Sequence, residues 1–467
     1  MFVSYTEPGA APERRGRRGI VLLTAAAMVF LILLPVIGLS VDVGVLYLVQ
    51  VRLAAASDAA SLAGARALAR GIDDSAQRTN AENTGDAYFL ANFPPGYFGT
   101  TNLYGHSAAA TDSTYMRSIT TTSHVDVPFL FLRMVGRDHI RLTASAKATR
   151  RDVNIMIVMD RSGSLAGVNC TALKAAAVNF VNKFAEGRDY LGLITFATSS
   201  RVDVGLTMTF KTTVTSTLNS VTCTGATNSA QALWEAYVEL AGMAQAGALN
   251  VIVFFTDGLP TAVTETFPIL TTSPCTPLHA ALPLVGVITL ASSAQGLYTW
   301  AALAQPQASD IAVIADNTAC KFYTSNDATK VTTDVAYAPP IDYWGNALKP
   351  ANNYLPVTTS GAGFSIATGA NVQNFSTNAA DNAGFRIRSG APDIKHASRT
   401  LAGVTIFSIG LGASVDAVLL KRIAYDKSLV PNPVAAGNQG LYVYAANATE
   451  LDQAFTRVAS EMLRLAQ

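Results

Sequence analysis

Asp160, Ser162 and Ser164 stand in the run NIMIVMDRSGSLAG, Asn154 to Gly167, where an unbroken apolar stretch stops at a carboxylate and continues with hydroxyls at alternate positions. A second apolar run, NVIVFFTDG, also ends on a carboxylate, Asp257. Between the two, the loop TCTGATNSAQ carries Thr227 into a helical segment. Two carboxylates and three hydroxyls make an all-oxygen set suited to a hard divalent cation, Mg²⁺ first and Mn²⁺ or Ca²⁺ as alternatives. Without sulfur or imidazole the set is a poor match for zinc.

Chemistry of this kind needs elements that bring distant residues to one place. Short continuous apolar runs bounded by turn residues are the pattern of strands covered on both faces, the parallel-sheet case. The segment after Asp160, CTALKAAAVNFVNKFAEG, repeats Leu173, Ala176, Ala177, Phe180, Val181 and Phe184 at helical spacing. YLGLITFAT and RVDVGLTMTF follow as a hairpin at a sheet edge, then NSAQALWEAYVELAGMA as a helix. GVTIFSIGLG, SVDAVLLKRIA, GLYVYA and a last helix with Leu451, Phe455, Val458 and Met462 on one stripe complete the alternation. Strands alternating with helices predict an α/β fold with a doubly wound, mostly parallel sheet. In such a sheet Asp160 and Asp257 leave the same carboxyl edge, where these folds place ligands.

Together, DRSGS, GATN and TDG resemble the metal-ion-dependent adhesion site of von Willebrand factor type A domains, D-x-S-x-S with a distant Thr and a distant Asp. The resemblance implies that Ser162, Ser164 and Thr227 ligate the ion directly or through water, and that Asp160 and Asp257 act mostly through water. It also implies an electrophilic ion that accepts an acidic side chain from a protein partner. A catalytic role is not expected. Ser162 and Ser164 lack a base at readable spacing, and neither a G-x-S-x-G elbow nor a G-x-x-x-x-G-K-[ST] phosphate loop occurs.

Of the four cysteines, Cys170 follows the serine loop and Cys223 stands four residues before Thr227. Both are expected on the rim of the metal site, which favours a Cys170–Cys223 disulfide and leaves Cys275 with Cys320. Four cysteines allow three connectivities, so the pairing is an expectation. A segment of about 140 residues separates Asp257 from GVTIFSIG, and connections that long tend to be functional or disordered. Two readings stand: a lid holding Tyr337, Tyr343 and Trp344 near the ligand face, or an insertion packed on the side of the domain.

Only 14% of the chain is charged, against roughly 25% in an average soluble domain. A net charge of +1 gives no field for nucleic acid. Part of the apolar excess lies at the N-terminus, where Arg14, Arg15, Arg17 and Arg18 precede an uncharged run from Ile20 to Val41. The run is long enough to cross a bilayer and exceeds the core of a cleaved secretory leader, the alternative reading. Arginines before it and Asp42 after it predict a cytoplasmic N-terminus and an external body, a compartment that suits disulfides. Beyond the span, LAAASDAASLAGARALA is Ala-rich helix with a stripe of small residues, either a stalk or a surface for another helix.

GLSVDVGVLYLVQVRLAAASDAASLAGARALA resembles the N-terminal segment of TadE/TadG-like proteins of Tad (Flp) pilus systems, and AFTRVASEMLRLAQ their C-terminal helix. Related pseudopilins are cut after a glycine followed by a glutamate five residues on. Here Gly19 is followed at that spacing by Thr24, so the anchor is expected to stay. The expected organisation is a basic tail (1–19), a transmembrane helix (20–41), a helical stalk (42–70), a small α+β connector (71–150) and a type A domain (151–467) with its insertion at about 259–396. The resemblance implies a bacterial inner-membrane accessory protein of Tad pilus assembly or surface adhesion, with other pilus components among its partners. An A-domain envelope protein working with an ATPase or processing machinery unrelated to pili is the alternative.

Overall fold

The computed structural model describes residues 16–68, 74–113, 116–184, 186–268, 284–290, 294–299, 337–395 and 398–466. The chain forms two compact units, one of residues 1–110 and 118–149, the other of 111–117 and 150–467.

In the first unit, α1 (Gly16–Met28), a π-helical turn (Val29–Leu33) and α2 (Leu34–Ala67) run as one continuous helix. Among the described residues this is the one helix long and apolar enough to cross a membrane. Leu22, Leu23, Phe30 and Leu31 are exposed along it, whereas Val49, Leu53, Ala56 and Ala60 further on are buried. They face α3 (Asp74–Asn92) and a sheet of β1 (Thr101–Ser113), β2 (Met116–Pro128) and β3 (His139–Arg151), in that order. The stripe of small residues therefore has a partner within the chain. A Cβ on Gly64 would lie 3.0 Å from the carbonyl oxygen of Ala81 on α3 and 2.5 Å from Ile119 Cδ1, so glycine permits the approach.

Central to the second unit is a six-stranded sheet of β4 (Val153–Asp160), β5 (Tyr190–Phe196), β6 (Ser200–Thr207), β7 (Leu249–Thr256), β13 (Thr405–Leu411) and β14 (Leu441–Ala445). Its order is β14-β13-β7-β4-β5-β6, parallel throughout except for β6, the antiparallel edge strand of the expected hairpin. Every residue of β4 and β7 is buried, because helices cover both faces. Ile155, Ile157 and Met159 pack with Leu173 and Phe180 of α4 (Val168–Val181), Val214 of α5 (Lys211–Ser220), and Phe455 and Met462 of the last helix (Leu451–Leu465). Met156 and Val158 face the other way, toward Trp234 of α6 (Ser229–Met243) and Phe375 of α7 (Gly369–Arg388). Burying each such side chain stabilises the fold by about 1.5–3 kcal/mol, which accounts for the unbroken apolar runs.

Within the long connection, β8 (Ala262–Phe267), β9 (Leu284–Leu290) and β10 (Ala294–Thr299) form an antiparallel sheet of order β10-β9-β8, and β11 (Thr359–Ser360) pairs with β12 (Gly363–Phe364). The aromatic stretch belongs to the core. Trp344 is 6% exposed and clusters with Trp234, Leu348 and Phe375, with Tyr343 packed against the same cluster. Arg386 of α7 donates to the Trp344 carbonyl oxygen and stacks 4.0 Å above the Trp234 ring. Of the two readings of this segment, Tyr343 and Trp344 take the packed one.

Candidate metal centre

Parallel pairing of β4 with β7 brings the ends of both apolar runs to one edge, and the two carboxylates meet there. Ser164 Oγ donates to Asp257 Oδ1 at 2.7 Å, and the Ser162 and Ser164 hydroxyls lie 3.0 Å apart. Asp160 is fully buried. Its Oδ1 accepts the Ser162 backbone N–H at 2.7 Å, and its Oδ2 accepts the Thr256 hydroxyl at 2.6 Å.

Thr227 comes to the edge on a loop sewn to the serine loop by main-chain bonds. Gly163 N–H donates to the Gly225 carbonyl, and Thr224 N–H to that of Arg161. Thr227 is buried, its N–H donating to Thr261 Oγ1 at 2.9 Å. The neighbouring Asn228 side chain ties this loop to the Thr198 carbonyl and to Thr264 Oγ1. Cys170 on α4 and Cys223 in the loop form a disulfide, with Cα atoms 6.1 Å apart. Cys275 and Cys320 lie outside the described residues.

Burial, together with the charge of Asp257, pushes the Asp160 carboxyl up to about 7; Asp257 is also raised, mainly by burial. Two acids held close, with hydroxyls beside them, are what a divalent cation relieves: it neutralises the repulsion and takes the oxygens as ligands. The residues present thus fit the ion that the fold family implies.

Thr256, Thr261 and Asn228 were not singled out by sequence reasoning. Thr256 is the last residue of an apolar strand and Asn228 stands at a helix start, so both have ordinary structural explanations. Their position next to Asp257 and Thr227 was the available clue.

The six-stranded sheet, its helical layers and the loops at its carboxyl edge define an A-type domain. Residues 155–259 match the family model of the von Willebrand factor type A domain. Residues 19–67 match the Flp pilus-assembly TadE/G-like model. The chain therefore has the organisation of a TadG-like protein carrying a von Willebrand factor type A domain.

Among solved structures, it is similar to the von Willebrand factor domain of the type V pili tip protein Mfa5 from Porphyromonas gingivalis, at 16% identity and a TM-score of 0.38 over 68% of this chain and 98% of that one. It is similar to the pilus adhesin SpaC from Lactobacillus rhamnosus GG at 13% identity and 0.37, over 80% of this chain and 35% of that one. Proximal thread matrix protein 1 from the mussel byssus, in a structure with zinc in its adhesion motif, matches at 12% identity and 0.33, over 68% and 46%. Among curated proteins none matches.

Proposed function

We propose that this is a membrane-anchored, pilus-associated accessory protein whose A domain, residues 151–467 with the insertion at about 259–396, binds a protein partner through a divalent cation, Mg²⁺ first. Ser162, Ser164 and Thr227 would hold the ion, with Asp160 and Asp257 behind them or bridged by water. Once bound, the ion supplies a Lewis-acidic position for a carboxylate of the partner. Asp160 fixes the serine loop through the Ser162 N–H, and Ser164 is held in place by Asp257. The site is read as a binding device and not as an enzyme. In the same reading the N-terminal helix spans the bacterial inner membrane from a cytoplasmic tail, its continuation 42–70 is packed with 71–150 as the connector and is not a bare stalk, and the body lies outside.

The observation that carries the proposal is the direct hydroxyl-to-carboxylate contact between Ser164 and Asp257, residues 93 positions apart. Calorimetric titration of Mg²⁺ and Mn²⁺ into the detergent-solubilised full chain tests it. Saturable heat for the parent and none for Asp160→Ala is the expected result. Heats that are equal for the two would remove the metal site.

A further inference from the structure

The loop between β2 and β3, Phe129 to Gly136, is apolar in sequence (FLFLRMVG) and lies on the membrane-type helix of its own unit. Phe131 sits on Gly38, where an added Cβ would come within 2.5 Å of the ring. Phe131, Leu132, Met134 and Val135 form one apolar surface with Phe30, Pro35 and Leu39. Those helix residues fall inside the uncharged run from Ile20 to Val41, so the loop reaches back along the span. Its outer side is left bare: Met134 is 84% exposed, Val135 74% and Leu130 59%.

Unlike most exposed loops, this one has turned its backbone donors inward. Asp42, at the end of the uncharged run and 2% exposed, accepts the N–H groups of Leu130 at 2.8 Å, Phe131 at 3.1 Å and Leu132 at 2.8 Å. Those groups open the 3₁₀ turn Leu132–Val135, whose first donors would otherwise need water. Further along, Phe129 N–H donates to Asp138 O, Met134 to Phe131 O, Gly136 to Arg133 O and Arg137 to Leu132 O. Six of the eight N–H groups from Phe129 to Gly136 thus have an acceptor within the chain, and backbone donors met internally beneath outward apolar side chains are what hydrocarbon favours in a non-spanning segment. Water requires neither feature.

We propose that the 129–136 loop is a second membrane contact, immersed in the leaflet that surrounds the outer end of the span, with Leu130, Met134 and Val135 among the lipid chains and Arg133 and Arg137 reaching to the headgroups. Asp42 is the clamp that makes this possible. The proposal rests on the membrane span of the preceding section, and the test separates the two.

The full chain is reconstituted into phosphatidylcholine vesicles with plain or brominated acyl chains, as the parent, Met134→Trp and Leu31→Trp. Leu31 is exposed on the helix within the uncharged run, so its variant reports on the span alone. The expected result is that the emission added by each new tryptophan is largely lost in brominated vesicles, while that of the parent is little changed. Quenching of L31W without quenching of M134W would overturn the loop proposal and leave the span; the surface would then face water or protein. Quenching of neither would overturn both.

Discussion

Glu265 on β8 is fully buried, and neither of its carboxylate oxygens has a hydrogen-bond partner among the described residues. Burial and the nearby Asp342 push it well above its usual range. The folded state thus favours the protonated acid, so the stability it contributes is complete below the unfolded value of about 4.3 and is lost as pH rises through the folded one. Glu265→Gln keeps the shape and removes the titration. Its melting temperature is expected to gain on the parent progressively as pH rises above the unfolded value of about 4.3; a difference that stays flat with pH would refute this. Such a group hides in the sequence, because TAVTETF gives no hint that its glutamate points inward. Asp160 and Asp257 were legible for the opposite reason: each ends a continuous apolar run, and an abrupt carboxylate at a buried edge has few bland explanations. Thr256 was not, since a threonine closing a strand is commonplace, and only the 2.6 Å contact with Asp160 reveals its part.

Among the elements, those with regular periodicity were readable and those rich in Asn and Thr were not. The stripe of Leu173, Ala177 and Phe180 located α4, although the helix ends at Val181, short of Phe184, and two apolar-rich runs around a short polar turn located the β5–β6 hairpin. By contrast α3, DSAQRTNAENTGDAYFLAN, and α7, GANVQNFSTNAADNAGFRIR, are dense in residues that favour turns and caps. Tertiary packing decides them. In α7, Val372, Phe375, Ala379, Ala383 and Ile387 are all buried, a helical pattern diluted by buried Asn371 and Asn378, whose side chains hold the 355–365 segment. The close approach of α2 and α3 gives a test of helix pairing. Gly64→Leu would drive a side chain into Ile119 and the Ala81 carbonyl, costing about 1–3 kcal/mol. Urea unfolding of the full chain in detergent should show a lower midpoint for the transition of the first unit; an unchanged midpoint would mean that the small-residue stripe is dispensable.

For the whole molecule, the sequence held the plan but not the packing of the long connection, whose aromatic residues could equally have served a ligand face. Trp344 went into the core because α7 and α6 leave a place for it beside Trp234. The Cys170–Cys223 bond closes a loop with a sequence separation of 53 and ties the serine loop's helix to the threonine loop. Replacing both cysteines by alanine should lower the stability of the second unit by about 2–5 kcal/mol, read by denaturant unfolding. A loss below measurement would mean that main-chain bonds alone hold these loops together.

One strand connects the two poles of the A domain. The chain enters at Arg151, whose N–H is bonded to the Ala466 carbonyl, passes through β4, and leaves it at Asp160. Pulling on a ligand held at Asp160 while the chain is anchored before Arg151 would direct tension lengthwise along β4. The load would then pass along the covalent backbone of β4, flanked by the ladders to β5 and β7, and those hydrogen bonds would not be peeled one after another. In the function proposed above, a tether attached in this way would carry load along one covalent strand and spare the sheet around it, so that the domain could stay folded while a held partner and the cell surface are drawn apart.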